Sequence, residues 1–177
     1  MIIATEIINQ PYSGQYEERV YDIESPWNSQ LWTWVKFIMD NGTEWVGNFR
    51  GEPHGVAISN KFNSCIVLTS DYLFLLDLKN GELIESDRNH TFTYLTTSPF
   101  GDYIIIDFYK IEKITDGLNN IIKIESPIEM DIIEVKGWNG NLLEFSCVEL
   151  GVYDKEYFMQ FDSETEEIKK ITIHNNT

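Results

Sequence analysis

The chain has 177 residues, of which 42% are hydrophobic and 14% aromatic, and 29 acidic against 13 basic residues give a net charge of −16. This composition excludes a disordered chain, and the length suits one domain spanning residues 1–177. The negative charge excludes the basic surface that nucleic-acid binding needs, and it disfavours anionic membranes. The sequence shows neither a secretory leader nor an apolar run of about 18 residues, so we expect a cytoplasmic protein.

The N-terminal part of the sequence carries the weakest strand pattern. Residues 1–30 contain Pro11, Gly14 and Pro26 and are predicted to be loop-rich, with at most one helical turn. Residues 31–55 start with two aromatic runs around an Asp-Asn-Gly turn, which predicts a hairpin and therefore a partial unit. Alanine is nearly absent while aromatic and isoleucine residues are abundant, so strands are favoured over helices throughout.

From residue 56 onward, a set of four short strand-like runs recurs three times, in residues 56–88, 92–126 and 131–173. The first turn of each set falls at Ser59, Ser98 and Trp138, at offsets of 39 and 40 residues. Asn-Gly and Asp-Gly pairs separate many of the runs and supply the positive φ that tight hairpin turns need. The predicted strands are 56–59, 64–69, 72–78 and 82–86, then 94–97, 102–108, 110–114 and 121–125, then 132–136, 141–149, 156–162 and 167–173.

The segment VAISNKFNSCIVLTSDYLFLLDLKNGELIES resembles one blade of the β-propeller superfamily, although the Trp-Asp pair of many blades is missing. The similarity covers roughly residues 45–173. It implies an all-β antiparallel meander of about three and a half four-stranded, propeller-blade-like repeats with little helix. So few blades do not close a standard propeller. The alternatives are a partial propeller, a curled sheet, or a unit closed by dimerisation, and we favour a meander that curls on itself.

Residue types that carry chemistry are present without the spacing that catalysis or metal binding requires. The three histidines, His54, His90 and His174, have no second ligand at a fixed spacing, so no metal or cofactor is predicted. Cys65 and Cys147 lie in apolar runs and are expected to be free, buried and inert. No catalytic residue is therefore predicted, and we expect the chain not to be an enzyme.

Carboxylates near strand ends have two interpretations. Pairs of them could serve a carbohydrate-active enzyme. For Asp77, Asp107 and Asp162 we favour the other interpretation, in which the carboxylate accepts backbone N–H groups and holds a hairpin.

Residues 47–55 place Arg50, Glu52 and His54 between glycines. This segment is either a ligand loop or a wide turn in which Arg50 pairs with an acid, and the wide turn is favoured.

Acidic residues cluster beside aromatic ones, a combination in which aromatics anchor a partner and acids steer a basic one. The predicted partner-binding residues are Glu17, Glu18, Asp22, Glu24, Trp138, Tyr153, Asp154, Glu156, Glu164, Glu166 and Glu167. In size, acidity and lack of catalytic motifs, the chain is similar to bacterial immunity proteins. That resemblance implies neutralisation of a cognate toxin, commonly a basic nuclease. The alternatives are a propeller-like scaffold or self-associating module, including a homodimer, and a carbohydrate-active enzyme.

Overall fold

The computed structural model describes residues 1–24, 29–89, 91–115 and 117–171, and within them the chain is all-β. The strands form four separate four-stranded sheets, none of which closes into a barrel. The predicted fold class, an all-β set of four-stranded repeats with little helix, is confirmed. The described part of the chain also contains no helix with the length and apolarity to span a membrane.

Each sheet is built from four strands that follow one another in the sequence. The first sheet holds β1 (Ile2–Ile8), β2 (Glu17–Tyr21), β3 (Trp32–Met39) and β4 (Glu44–Arg50). The second sheet holds β5 (Pro53–Ser59), β6 (Ser64–Thr69), β7 (Tyr72–Asp77) and β8 (Leu83–Arg88). The third sheet holds β9 (Tyr94–Thr97), β10 (Tyr103–Ile106), β11 (Ile111–Ile114) and β12 (Ile121–Lys123). The fourth sheet holds β13 (Met130–Asn139), β14 (Leu142–Glu149), β15 (Val152–Asp162) and β16 (Glu167–Lys170).

The last three sheets are antiparallel meanders and correspond to the three predicted repeats. Their hairpins are held as the carboxylate pattern predicts. Asp77 accepts the Lys79 amide at 2.6 Å, and Asp162 accepts the Glu164 amide at 2.9 Å. Asp107 accepts the amides of Tyr109 and Lys110 at 2.7 and 2.9 Å. The structural interpretation of these three carboxylates is confirmed.

The first sheet differs from the sequence prediction, because the N-terminal third supplies a complete unit and not a hairpin alone. Its strand order is β1-β3-β4-β2, and β2 runs parallel to β4. β2 is held by contacts distant in sequence: Tyr21 stacks on Phe49 with ring centroids 4.4 Å apart, and Arg19 lies 4.2 Å above the Trp45 ring. No helix occurs among the described residues of this region.

The four sheets stack face to face in chain order. One core cluster joins the first and second sheets, where Phe49 meets Phe74 edge-on at 5.1 Å. A second joins the second and third sheets, where the Tyr103 hydroxyl donates to the Ser64 carbonyl at 2.6 Å. A third joins the third and fourth sheets. No cluster of described residues joins the first sheet to the fourth, so the arrangement corresponds to the partial-propeller alternative.

The segment from Gly47 to Gly55 is the end of β4, a turn and the start of β5. Arg50 pairs with Asp22 at 2.7 Å, as the wide-turn interpretation predicts. The turn is fixed by two buried hydroxyls: Thr33 donates to the Gly51 carbonyl and Thr69 to the Arg50 carbonyl, both at 2.8 Å. The segment therefore joins the first two sheets.

Gly81 tests the packing between the first two sheets. It has φ +74, and a Cβ there would lie 2.4 Å from the Trp45 indole. Gly42 is a matched control, since its φ is +81 and a Cβ added to it would have nothing within 4 Å. Both Gly→Ala variants place an alanine at a left-handed φ and should lower the free energy of unfolding. Urea unfolding should show a loss about 1–3 kcal/mol larger for Gly81→Ala than for Gly42→Ala, because only the Gly81 variant clashes with the indole. Equal losses of unfolding free energy in the two variants would show that the Trp45 side chain moves aside without destabilising the protein.

Candidate functional site

The hairpin formed by β14 and β15 has an irregular outer end. Pairing is regular from Leu142 opposite Asp162 to Val148 opposite Glu156, and then it moves directly to Glu149 opposite Val152. Residues 153–155 therefore have no partner in β14 and form a three-residue bulge. Their side chains are exposed, and Tyr153 retains 61% of its accessible surface.

Over the same stretch, the outer edge of β15 pairs with no described strand. β16 pairs only with Met159–Asp162, and the Ile171 amide adds one bond to the Phe158 carbonyl. Among the described residues, no strand continues this edge beside residues 152–157. An unpaired strand edge offers backbone donors and acceptors to an incoming chain.

Exposed apolar side chains gather at the same end of the third and fourth sheets. We call Phe108, Tyr109, Ile132, Leu150 and Tyr153 the docking patch; each is between 46% and 61% exposed. Tyr109 and Leu150 line one cavity of about 620 Å³. Backbone bonds from Leu150 to Glu129 (2.8 Å) and from Ile133 to Phe108 (3.4 Å) hold the neighbouring segments together. Clustered exposed apolar groups mark interaction sites more often than scattered ones do.

Ile132 has a strained backbone. Its φ is +52, a left-handed value that is rare for a β-branched residue. The Asp131 carboxylate accepts the Ile132 amide at 2.8 Å, and the register of β13 shifts beside it. This geometry presents the isoleucine side chain to solvent at a cost of about 1–2 kcal/mol. Such strain concentrates at functional positions.

Acidic side chains surround the docking patch. Glu125 and Glu129 line its cavity, and Asp154 and Glu156 flank Tyr153. Within the described residues, Glu129, Asp154 and Glu156 form no ion pair. The nearby amines of Lys155 and Lys170 lie over the Tyr157 ring, at 4.8 and 4.1 Å. Glu125 lies 3.7 Å from the Lys123 amine, and Lys110 also lines the cavity. Among the described residues, the patch therefore joins apolar anchors to three carboxylates that form no ion pair, those of Glu129, Asp154 and Glu156.

The structure divides the predicted partner-binding residues among separate places. Tyr153, Asp154 and Glu156 lie at the docking patch. The group from the N-terminal third lies at the edge of the first sheet, where Glu17 pairs with Arg19 and Asp22 with Arg50; its members are Glu17, Glu18, Asp22 and Glu24. Glu164, Glu166 and Glu167 form the β15–β16 turn at the opposite end of β15, and the last two pair with Lys113 and Lys169.

The Trp138 side chain is partly buried and contacts other residues of this chain. Its indole donates to the Thr96 hydroxyl at 3.0 Å and meets Phe161 edge-on at 6.4 Å, so it joins the third and fourth sheets. Four residues of the docking patch were not predicted from the sequence. Phe108 and Tyr109 occupy one turn, Leu150 lies in the turn between β14 and β15, and Ile132 lies in β13, so only the tertiary structure shows them to be exposed together.

The remaining reactive residue types take part in structural contacts. A His54 ring nitrogen lies 2.8 Å from the Phe92 carbonyl oxygen, while His90 and His174 lie outside the described residues. Among the described residues, no three His, Cys, Asp or Glu side chains are grouped as metal ligands would be. Both cysteines are free and buried. Burial raises the pKa of the Cys147 thiol to about 11, and it also raises the pKa of the Cys65 thiol.

Comparison with known proteins bears on the fold only. No protein-family model matches the sequence, and no curated protein sequence matches it significantly. The structure is similar to dihydro-heme d1 dehydrogenase NirN in complex with DHE, with a TM-score of 0.50, 13% identity and coverage of 84% of this chain. It is also similar to the extracellular domain of the putative one component system BT4673 from B. thetaiotaomicron, with a TM-score of 0.49, 14% identity and 80% coverage. The chain spans 34% and 21% of those two chains.

The cysteines give a test of burial within the stacked sheets. Because the raised pKa values deplete the thiolate form, neither thiol should react with dithiobis(nitrobenzoate) in the native protein at mildly alkaline pH. Both should react once urea unfolds the chain, giving two thiols per molecule. Rapid native modification of Cys147 would mean that the β14–β15 hairpin opens far more readily than its packing indicates.

Proposed function

We propose that this chain is a non-catalytic protein-binding protein of the bacterial immunity type, which neutralises a basic toxin domain by covering it. The observation that carries the proposal is the docking patch, where exposed aromatic and aliphatic side chains adjoin Glu129, Asp154 and Glu156, which form no ion pair among the described residues. Tyrosine side chains and large apolar groups supply most of the binding energy at protein interfaces, and a surrounding charged rim adds selectivity.

The charge of the chain supports a cationic partner. A net charge of −16 repels acidic proteins and nucleic acids and speeds the encounter with a basic protein. Asp154 and Glu156 lie close in sequence to the anchor Tyr153. A basic partner attracted by the net negative charge of the chain would therefore contact specific carboxylates at the patch. Association should therefore be fast at low ionic strength and slower as salt screens the attraction.

The open edge of β15 adds a backbone contribution. A partner segment that pairs with residues 152–157 would bind backbone amides and carbonyls that no described strand pairs with, while the Tyr153 side chain packs beside it. The bulge at residues 153–155 interrupts a flat edge, which limits indiscriminate strand pairing between copies of the chain.

The docking patch is tested with the basic domain of the toxin encoded next to the gene for this chain. Tyr153→Ala and the double variant Asp154→Lys with Glu156→Lys should each weaken binding by about tenfold or more, and only the double variant should flatten the salt dependence. The measurement is stopped-flow association and calorimetry at two salt concentrations.

The control for this experiment is Glu164→Lys, which reverses a charge at the other end of the β14–β15 pairing, roughly 25 Å away. It should leave affinity almost unchanged. If Glu164→Lys weakens binding as much as the double variant, the turn at residues 163–166 is the interface instead. If the gene has no toxin neighbour and the chain binds no basic domain, the immunity assignment fails.

Ile132 provides a second test that separates binding from folding. Ile132→Gly relieves the left-handed strain and should raise the free energy of unfolding by about 1 kcal/mol while it weakens toxin binding. The control Ile122→Gly removes an equally exposed isoleucine from β12, where φ is not positive, and should lower stability without affecting binding. Lower stability in Ile132→Gly would show that its side chain serves packing and not docking.

A self-associating scaffold is the second candidate function. It is favoured by the open stack, since no core cluster of described residues covers the outer faces of the first and fourth sheets. Small-angle scattering distinguishes the two: a dimer whose sheets continue one stack supports the scaffold, and a monomer at high concentration contradicts it.

A further inference from the structure

The outer face of the first sheet holds a second feature, separate from the docking patch. Strand pairing places Ile8, Trp34, Asn48 and Val20 side by side in one row across the four strands. Trp32 lies two residues from Trp34 on the same face of β3. A cavity of about 680 Å³ opens between this row and the end of β1. That volume is within the range of small-molecule sites in proteins, roughly 300–1,000 Å³.

The described residues that line the cavity are all uncharged, although 24% of the residues of the chain are charged. It combines the two tryptophans with four amide side chains, from Asn9, Gln10, Gln30 and Asn48. The remaining lining residues are apolar or carry a single hydroxyl. Amides both donate and accept hydrogen bonds, and an indole offers a flat apolar surface. The lining therefore suits a ligand that is neutral, rich in hydroxyl groups and apolar on one face.

The side-chain oxygen of Asn48 lacks a hydrogen-bond donor. Its side-chain oxygen is buried and accepts no hydrogen bond, and it is the single such side-chain atom found among the described residues. A buried acceptor without a donor destabilises the folded state, so proteins rarely retain one without a reason. Asn48 also lines the cavity. Rotation of the Asn48 amide about its terminal side-chain bond would turn this oxygen toward the cavity, where a hydroxyl group of a bound ligand would supply the missing donor.

Trp32 is held as a fixed wall of the cavity. The Arg50 guanidinium lies 3.9 Å above its ring, and Asp22 accepts from the same guanidinium at 2.7 Å. The guanidinium also donates to the Ser29 carbonyl at 3.3 Å. These bonds use the charge of Arg50 within the protein, so the cation orients the indole and is not left over to bind an anionic ligand. A fixed aromatic wall lowers the entropy lost on binding.

We propose that this cavity binds a neutral saccharide. The C–H face of a pyranose ring packs on the indoles of Trp32 and Trp34, and its hydroxyl groups exchange hydrogen bonds with the lining amides and donate to Asn48 Oδ1. An anionic sugar is disfavoured, because the described lining offers no cation and the net charge of the chain is −16. A basic peptide is disfavoured too, because the same lining residues offer no carboxylate.

The experiment presents the full chain to an array of immobilised glycans that contain hexoses, N-acetylhexosamines, deoxyhexoses or uronic acids. Neutral glycans should be retained, and their uronate counterparts should not. For a retained glycan, calorimetry should show affinity reduced by about tenfold or more in Trp34→Ala and in Asn48→Leu. The matched control is Phe158→Ala, which removes an exposed aromatic side chain from the fourth sheet and should leave glycan affinity unchanged.

Asn48→Leu also distinguishes a binding role from a structural one. Leucine has a similar volume and removes the unsatisfied acceptor, so the thermal midpoint should be at least that of the parent chain while glycan binding is lost. The proposal is overturned if the array retains no neutral glycan, if uronates bind equally well, or if both variants keep the parent affinity. Tyr153→Ala should bind glycans normally, so this result is independent of the proposed protein docking.

Discussion

The stack of sheets depends on one constraint, the burial of the second and third sheets on both faces. All six residues of β6 and all four of β10 are buried, so these strands are apolar with little interruption. A sheet of this kind must be covered on each side. The first and fourth sheets pack against a neighbouring sheet on one face only, so buried and exposed residues alternate along their strands. In β3, the buried residues Thr33, Val35 and Phe37 alternate with partly exposed ones. The order of the stack thus follows from the strand patterns.

That constraint leaves surfaces of different character at the two ends. On the first sheet, the residues of β3 and β4 that are not buried include two tryptophans and an asparagine, and these line a cavity without charged residues among the described ones. On the fourth sheet, the uncovered features include a bulged hairpin, with Asp154 and Glu156 forming no ion pair among the described residues. The two features use different strands and different chemistry. One protein can therefore present a sugar-sized cavity and an acidic docking patch without either disturbing the buried middle of the stack.

Local sequence patterns predicted the turns and the antiparallel meanders, because residues close in sequence determine both. Turn residues at a constant spacing located the three meanders, and Asp77, Asp107 and Asp162 were correctly assigned to hairpins. β2 was missed because it is held by a parallel pairing with β4, about 28 residues away, and by rings contributed from that strand. The cavity and the docking patch were missed for a related reason. Trp34 lies opposite Asn48, and Tyr109 and Leu150 line one cavity, only after segments distant in sequence come together.

The two features least compatible with a stable fold lie at the two proposed sites. Asn48 Oδ1 is a buried acceptor without a donor, and Ile132 holds a β-branched side chain at a left-handed φ. Each lowers the stability of the unliganded chain, and neither improves the packing of a core cluster. Selection retains such features where binding uses them, because proteins with stability to spare tolerate local cost at a site. In the middle sheets, the buried polar groups of Tyr103 and Ser64 satisfy each other instead, and the Tyr103 hydroxyl donates to the Ser64 carbonyl.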